Sequence, residues 1–204
     1  MKNGIRAVLT ALSLLGLAGC DSSAEPSASQ LIGYQVDASS QRSWWLTKDG
    51  VVLHSAAQAP KSIALAGWLW AADPYCPPAL VIGPSGEAVI TSNVAPVLWR
   101  VDPQTLAVTR HELELNADND KDVGFAAIVY LPELAAYLAY SEQRSLWKID
   151  AELSHATKVI NADVSRRGTQ RRTARTPCAE LAQLLSRAAA LQRRGIELSN
   201  ANGD

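Results

Sequence analysis

From Leu31 to about Ile160 the chain alternates brief apolar runs with turn chemistry. LIGYQV precedes a polar DASSQ; SWWLT leads through Lys48-Asp49-Gly50 to VVLHS. ALVIG then passes through Pro84-Ser85-Gly86-Glu87 to AVITSN, followed by VLWRVD, a Pro-Gln-Thr turn and LAVTRHELEL. Short runs rich in β-branched and aromatic residues, spaced about 8–12 residues apart by Asp-Gly and Pro-x-Gly, predict antiparallel strands joined by hairpins.

One phrase is written twice. Leu98-Trp99-Arg100-Val101-Asp102 returns 48 positions later as Leu146-Trp147-Lys148-Ile149-Asp150. Laid without gaps, residues 79–109 match 127–157 at Ala79, Val81, Pro84, Ala88, Leu98, Trp99, Asp102 and Thr109. A period of this length, with several strands per unit, is the pattern of a β-propeller. The units resemble blades of the broad propeller group that includes NHL, YVTN and quinoprotein-like repeats, closely over 79–161 and loosely over 31–78. That resemblance implies an all-β fold of about two to three antiparallel blades, short of the roughly four or more of a full propeller. The count would leave the ring incomplete or closed by a partner chain. A duplication inside a two-sheet sandwich is the alternative. Trp99 and Trp147 are expected to pack between sheets, and Asp102 and Asp150 to anchor the turns that follow them. Leu98 and Val101 cannot share one face of a regular alternation, so a bulge or edge twist is expected there. A degenerate third copy is expected near Leu31, with RSWWLTKDGVV facing RSLWKID.

Residues 1–19 read as a signal peptide: Lys2 and Arg6 precede an apolar stretch from Ala7 to Leu17, too short to span a bilayer. Leu17-Ala18-Gly19-Cys20 resembles the lipobox of bacterial lipoproteins in every position. The resemblance implies diacylglycerol on the Cys20 thiol, cleavage before Cys20, and anchorage facing the periplasm. Asp21, by likeness to enterobacterial lipoproteins, favours the inner membrane. Residues 20–30 then form a lipidated, Ser/Ala/Pro-rich tether, and 31–163 the β-repeat domain.

Composition changes beyond it. All six Trp lie between Trp44 and Trp147, while eight of the 13 Arg lie between Arg166 and Arg194. Within 164–204 the Arg-rich stretch has no apolar periodicity. Next, Thr176-Pro177 opens an amphipathic helix with Leu181, Leu184, Leu185, Ala188 and Leu191 on one face, and Gly195 closes it. Loss of aromatics and Lys-free Arg/Ala/Thr runs are also what out-of-frame translation of GC-rich coding sequence produces. A frameshifted or truncated end therefore stands beside a basic patch for anionic lipid and a solvated linker with helix.

Candidate chemistry is sparse. A net charge of −1 argues against a nucleic-acid partner. Cys76, in the proline-flanked DPYCPP, and Cys178 are a candidate disulfide in an oxidising compartment. Asp118, Asp120 and Asp122 alternate like the start of a calcium loop, but Val123 stands where Gly is needed and Val129 where the bidentate Glu is needed. Ca²⁺ is thus the one cofactor left open. His54, His111 and His155 lack metal-ligand spacing, and Ser85 sits in a turn, not a nucleophile elbow. Trp68 and Trp70, in GWLW, line a groove or pack in the core. No catalytic constellation is visible. The expected function is a membrane-anchored, propeller-like scaffold binding a protein or peptide partner; the alternative is a reduced calcium-dependent lactonase or esterase of the propeller type.

Overall fold

The computed structural model describes residues 30–37, 39–56, 58–116, 123–160, 178–194 and 199–200. The signal segment, Cys20, the Asp118–Asp122 cluster and the Arg-rich stretch lie outside these. Among the described residues no helix is long and apolar enough to cross a membrane.

The alternation becomes three successive antiparallel meanders, each of four consecutive strands. The first sheet holds β1 (Leu31–Asp37), β2 (Arg42–Thr47), β3 (Gly50–Ser55) and β4 (Gln58–Ala64). The second holds β5 (Leu80–Ile82), β6 (Ala88–Thr91), β7 (Val97–Val101) and β8 (Val108–Glu112). In the third, β10 (Phe125–Leu131), β11 (Ala136–Ser141), β12 (Leu146–Asp150) and β13 (His155–Ile160) form the meander. Two short strands, β9 (Glu114–Leu115) and β14 (Ser199–Asn200), add to β13. The first strands of the sheets are neighbours, β5 lying against both β1 and β10. Up-and-down sheets meeting at their first strands make an all-β, propeller-like body of three blades. Among the described residues one α-helix, α1 (Cys178–Arg193), packs against this body.

The written repeat is the second blade laid on the third: each of β5 to β8 falls on its counterpart among β10 to β13. The first blade obeys a different alignment. RSWWLT is β2, a second strand, whereas LWRVD and LWKID contribute third strands. The expected pairing of RSWWLTKDGVV with RSLWKID is therefore one strand out of phase. Trp44 fills the gap between the first two blades from β2, as Trp99 does from β7. Both tryptophans fill the one interface, from facing blades and from different places in the strand order.

No bulge separates Leu98 from Val101. Strand β7 pairs with β6 in unbroken register from Thr91–Leu98 to Ala88–Val101. Leu98 packs toward the third blade and Val101 toward the first. Alternation is satisfied because a middle blade is buried on both faces, so odd and even positions are both apolar.

Turn chemistry fixes the hairpins. Gly50 starts β3 at φ +145°, and a Cβ there would lie 2.3 Å from the Ile63 carbonyl oxygen, so only glycine fits. In the turn after β7, Asp102 accepts from the Gln104 and Thr105 amides at 2.8 and 2.7 Å and from the Thr105 hydroxyl at 2.9 Å. After β12, Asp150 accepts from the amides of Ser154 and His155 and from the Ser154 hydroxyl.

The core has three layers. The first and second blades enclose Trp44, Leu46, Ile90 and Trp99; the second and third enclose Leu98, Phe125, Trp147 and Ile149. The far face of the third blade would be bare in a three-blade stack. Helix α1 covers it, burying Leu181, Leu185, Ala188 and Ala189 against Leu131, Leu138 and Tyr140. Leu184 is only part-buried, because the buried stripe follows i, i+4, i+7, i+8 and sets it to one side. The outward face of the first blade leaves Tyr34 and Val36 62% and 60% exposed.

Candidate functional site

Where the first strands meet, their small residues leave space. Ala79 beside β5 and Ala126 and Ala127 in β10 are too short to fill it, and Ala182 and Ala189 leave the facing side of α1 equally open. The result is a groove of about 500 Å³, floored by Leu80, Ile128 and Leu185. Polar groups sit at its margins: Gln35 from β1, Ser186 on the helix and Arg193 at the helix end. The Ser186 hydroxyl donates to the Ala182 carbonyl at 2.9 Å, so it keeps its acceptor lone pairs for a ligand. The Arg193 guanidinium lies 3.5 Å from Glu133, an exposed pair that a ligand anion could displace at small cost. A groove that is apolar along its length, with an amide, a hydroxyl and a guanidinium at the edges, suits an apolar side chain carried on a polar backbone.

The helix wall is held from its first residue. Cys178 is disulfide-bonded to Cys76, with Cα atoms 5.4 Å apart. Cys76 is itself buried and tied down: its amide donates to Glu142 Oε1 at 2.7 Å and its carbonyl accepts from Asn93 Nδ2 at 2.7 Å. Asn93 also bonds the amide and the carbonyl of Ala71. This one buried carboxamide thus organises the loop between the first two blades. Nothing in the sequence marks it, since Asn93 sits in a polar Thr91-Ser92-Asn93 run that reads as an ordinary turn. In that loop Trp68 stacks on Trp70 at 5.8 Å, and Trp68 packs against the core between the first two blades. Neither lines the groove.

A second set of polar groups lies between the second and third blades. The Tyr137 hydroxyl faces the Glu87 carboxylate over Gly83. Burial, then the Glu87 charge, pushes the phenol well above its ordinary range, so Tyr137 stays a neutral hydroxyl. His111 is held below its usual value by burial and by Arg100, with Asp150 pulling the other way. The Arg100 guanidinium donates to the Ala151 carbonyl. Of these groups, Arg100 ties blade to blade through its bond to Ala151.

Trp99 and Trp147 are both fully buried between sheets, and the Trp99 indole donates to the Ala66 carbonyl at 3.0 Å. Trp147 meets Phe125 edge to face at 6.3 Å, with the Lys158 ammonium 5.7 Å from its ring. Cys20 and Asp118, Asp120 and Asp122 lie outside the described residues. Among the described residues no three His, Cys, Asp or Glu side chains are placed to hold a metal ion. The His155 ring is 3.1 Å from Asp150 and 3.2 Å from Glu114, but in the solvent-facing bonding of the β12–β13 turn.

Comparison with known proteins finds no matching family model and no matching curated protein sequence. Among solved structures, the chain is similar to the dihydro-heme d1 dehydrogenase NirN in complex with DHE, at a TM-score of 0.46 and 10% identity over 64% of this chain and 28% of that one. It is likewise similar to the GH74 xyloglucanase from Xanthomonas campestris, at 0.45 and 14%, over 64% of this chain and 21% of that one. The chain spans about a quarter of the length of these proteins. The propeller-like architecture rests on this chain's own strand order, and the activities in those names belong to those proteins.

Proposed function

We propose that this protein is a lipid-anchored scaffold of a bacterial cell envelope that binds a protein or peptide partner in the groove between its first strands and helix α1. The observation that carries the binding is the groove's lining: an apolar floor of Leu80, Ile128 and Leu185 with Gln35, Ser186 and Arg193 at the rim. A peptide would place an apolar side chain on that floor and offer carbonyl or carboxylate oxygens to the margin. The anchor rests on Leu17-Ala18-Gly19-Cys20, with residues 21–30 as the tether and the inner membrane favoured by Asp21. Two or more acyl chains hold such a domain firmly where one binds only marginally.

Each half has its own test. Peptides selected from a displayed library against the full mature chain are expected to lose at least tenfold in affinity when Ala182→Trp fills the groove from the exposed side of the helix. Unchanged affinity places binding elsewhere. Intact-mass measurement of protein from bacterial membranes is expected to show a diacylglyceryl increment lost in Cys20→Ser; an unmodified thiol removes the anchor.

A further inference from the structure

A second cavity, of about 460 Å³, opens at the rim between the first and second blades, away from the groove described above. Strand register builds it. Arg42 pairs with Ser55 across β2 and β3, and Leu53 pairs with Lys61 across β3 and β4. Paired residues, and residues two apart on one strand, share a face. Arg42, Ser55, Leu53 and Lys61 therefore lie on the face that carries Trp44 and Leu46 into the core. At this end of the sheet the apolar pattern gives way to two cations about Leu53. Two residues along β3 and two strand spacings across, Arg42 and Lys61 stand on the order of 10–12 Å apart at Cα.

The opposite wall is the turn after β7. There the Pro103 carbonyl accepts from Arg42 Nη1 at 3.3 Å, which aims the guanidinium along the cleft. Lys61 has no partner among the described residues. Gln41, Gln58 and Gln104 supply carboxamides, and Ser40 and Ser55 hydroxyls. Gln41 is held at φ +53°, a conformation unfavourable for any residue with a side chain. Two carboxylates are nearby, but each is turned into its own loop: Asp37 accepts from Ser39 and Ser40, and Asp102 from Gln104 and Thr105. These bonds hold both carboxyls below their ordinary values, so both are charged at neutral pH and weaken the pull of the cations.

We infer that this cavity is a binding site for a polyhydroxylated organic acid, a sugar carrying a carboxylate or a phosphate. The two cations would hold the acid group, and three carboxamides and two hydroxyls are the donors and acceptors that sugar hydroxyls require. Leu53 and Pro103 offer an apolar surface for the C–H face of the ring. The site is independent of the peptide groove. It also lies at the Asp37 end of β1, a seven-residue strand of roughly 23 Å whose other end leads to the tether. A soluble or wall-borne acid therefore fits the site better than the headgroups of the membrane that would anchor the chain.

Amide NMR titration of the full mature chain with glucuronate, glucose 6-phosphate, glucose and inorganic phosphate tests this. At least one sugar acid is expected to shift the amides of Ser55, Gln58 and Gln104, binding at least tenfold more tightly than glucose or phosphate. A preference for glucuronate assigns a carboxylate and a preference for glucose 6-phosphate assigns a phosphate; either supports the site. Lys61→Gln, at an exposed position that leaves the fold intact, is expected to weaken binding at least fivefold, and Lys61→Arg to restore it. Arg42→Gln should do the same, with strong salt dependence throughout. Equal binding of phosphate and sugar acids, shifts outside this cavity, or indifference to Lys61→Gln would overturn it.

Discussion

Cys76 and Cys178, 102 residues apart in the chain, are bonded to one another, and the bond seats the first turn of α1 on the third blade. Closing a loop of this length removes entropy from the unfolded chain, a contribution of typically about 2–4 kcal/mol. The paired Cys76→Ser, Cys178→Ser variant is expected to lose about that much stability in denaturant titrations under oxidising conditions. Wild type and variant should converge when reductant is added. A variant as stable as oxidised wild type would mean that helix packing alone holds α1.

Gly124 and Gly33 make opposite demands. A Cβ on Gly124 would fall 2.0 Å from the Asn93 carbonyl carbon, where β10 enters beside the second blade and the Phe125 amide donates to the Ser92 carbonyl at 2.7 Å. Backbone cannot swing aside as a side chain can. Gly124→Ala is expected to cost about 2–3 kcal/mol, typical of overpacking. Gly33→Ala meets nothing within 4 Å and should be close to neutral in the same chemical-denaturation assay.

The two repeat tryptophans differ in one bond. Trp99 donates its indole N–H to Ala66, whereas the buried Trp147 N–H has no partner among the described residues. Phe at either position leaves a comparable cavity, but only at Trp99 does it orphan a carbonyl. Trp99→Phe is therefore expected to be more destabilising than Trp147→Phe by about 1 kcal/mol, measured as a difference in urea midpoints at equal slope.

His111 gives stability a pH dependence. Its folded-state pKa lies below the ordinary value of 6.5, first through burial and then through Arg100. Between the two values the unfolded chain binds more protons, so stability rises with pH there. The contribution is full above about pH 6.5 and is lost as pH falls from there toward the folded value. Urea unfolding at steps from pH 7.5 to 5 should show this decline, and His111→Gln should flatten it. An unchanged slope would assign the decline to other groups.

The echo between LWRVD and LWKID was enough to place the second and third blades strand by strand, because both are sheets buried in the same way. Turn residues were legible for the same local reason: Asp102 and Asp150 bond to amides within five positions, and Gly50 follows Asp49 in a tight hairpin. The first blade was misaligned because a large side chain that fills an interface can come from either of two strands, and only packing chooses. Trp44 on β2 and Trp99 on β7 do the same job. Leu98 and Val101 needed no bulge once both faces of their sheet were covered, which a single strand cannot reveal.

Both cavities lie beyond local reasoning. The groove exists because Ala79, Ala127 and Ala182, distant in sequence, leave room together, and the rim cavity because register sets Arg42 and Lys61 on either side of Leu53. Strand existence, turn positions and the blade repeat follow from interactions a few residues apart, and the sequence alone determined them. Which faces are covered, where Asn93 reaches, and that α1 covers the outer face of the third blade depend on contacts between distant segments. Those the tertiary structure decided, since burial is a property of the surroundings and not of the residue.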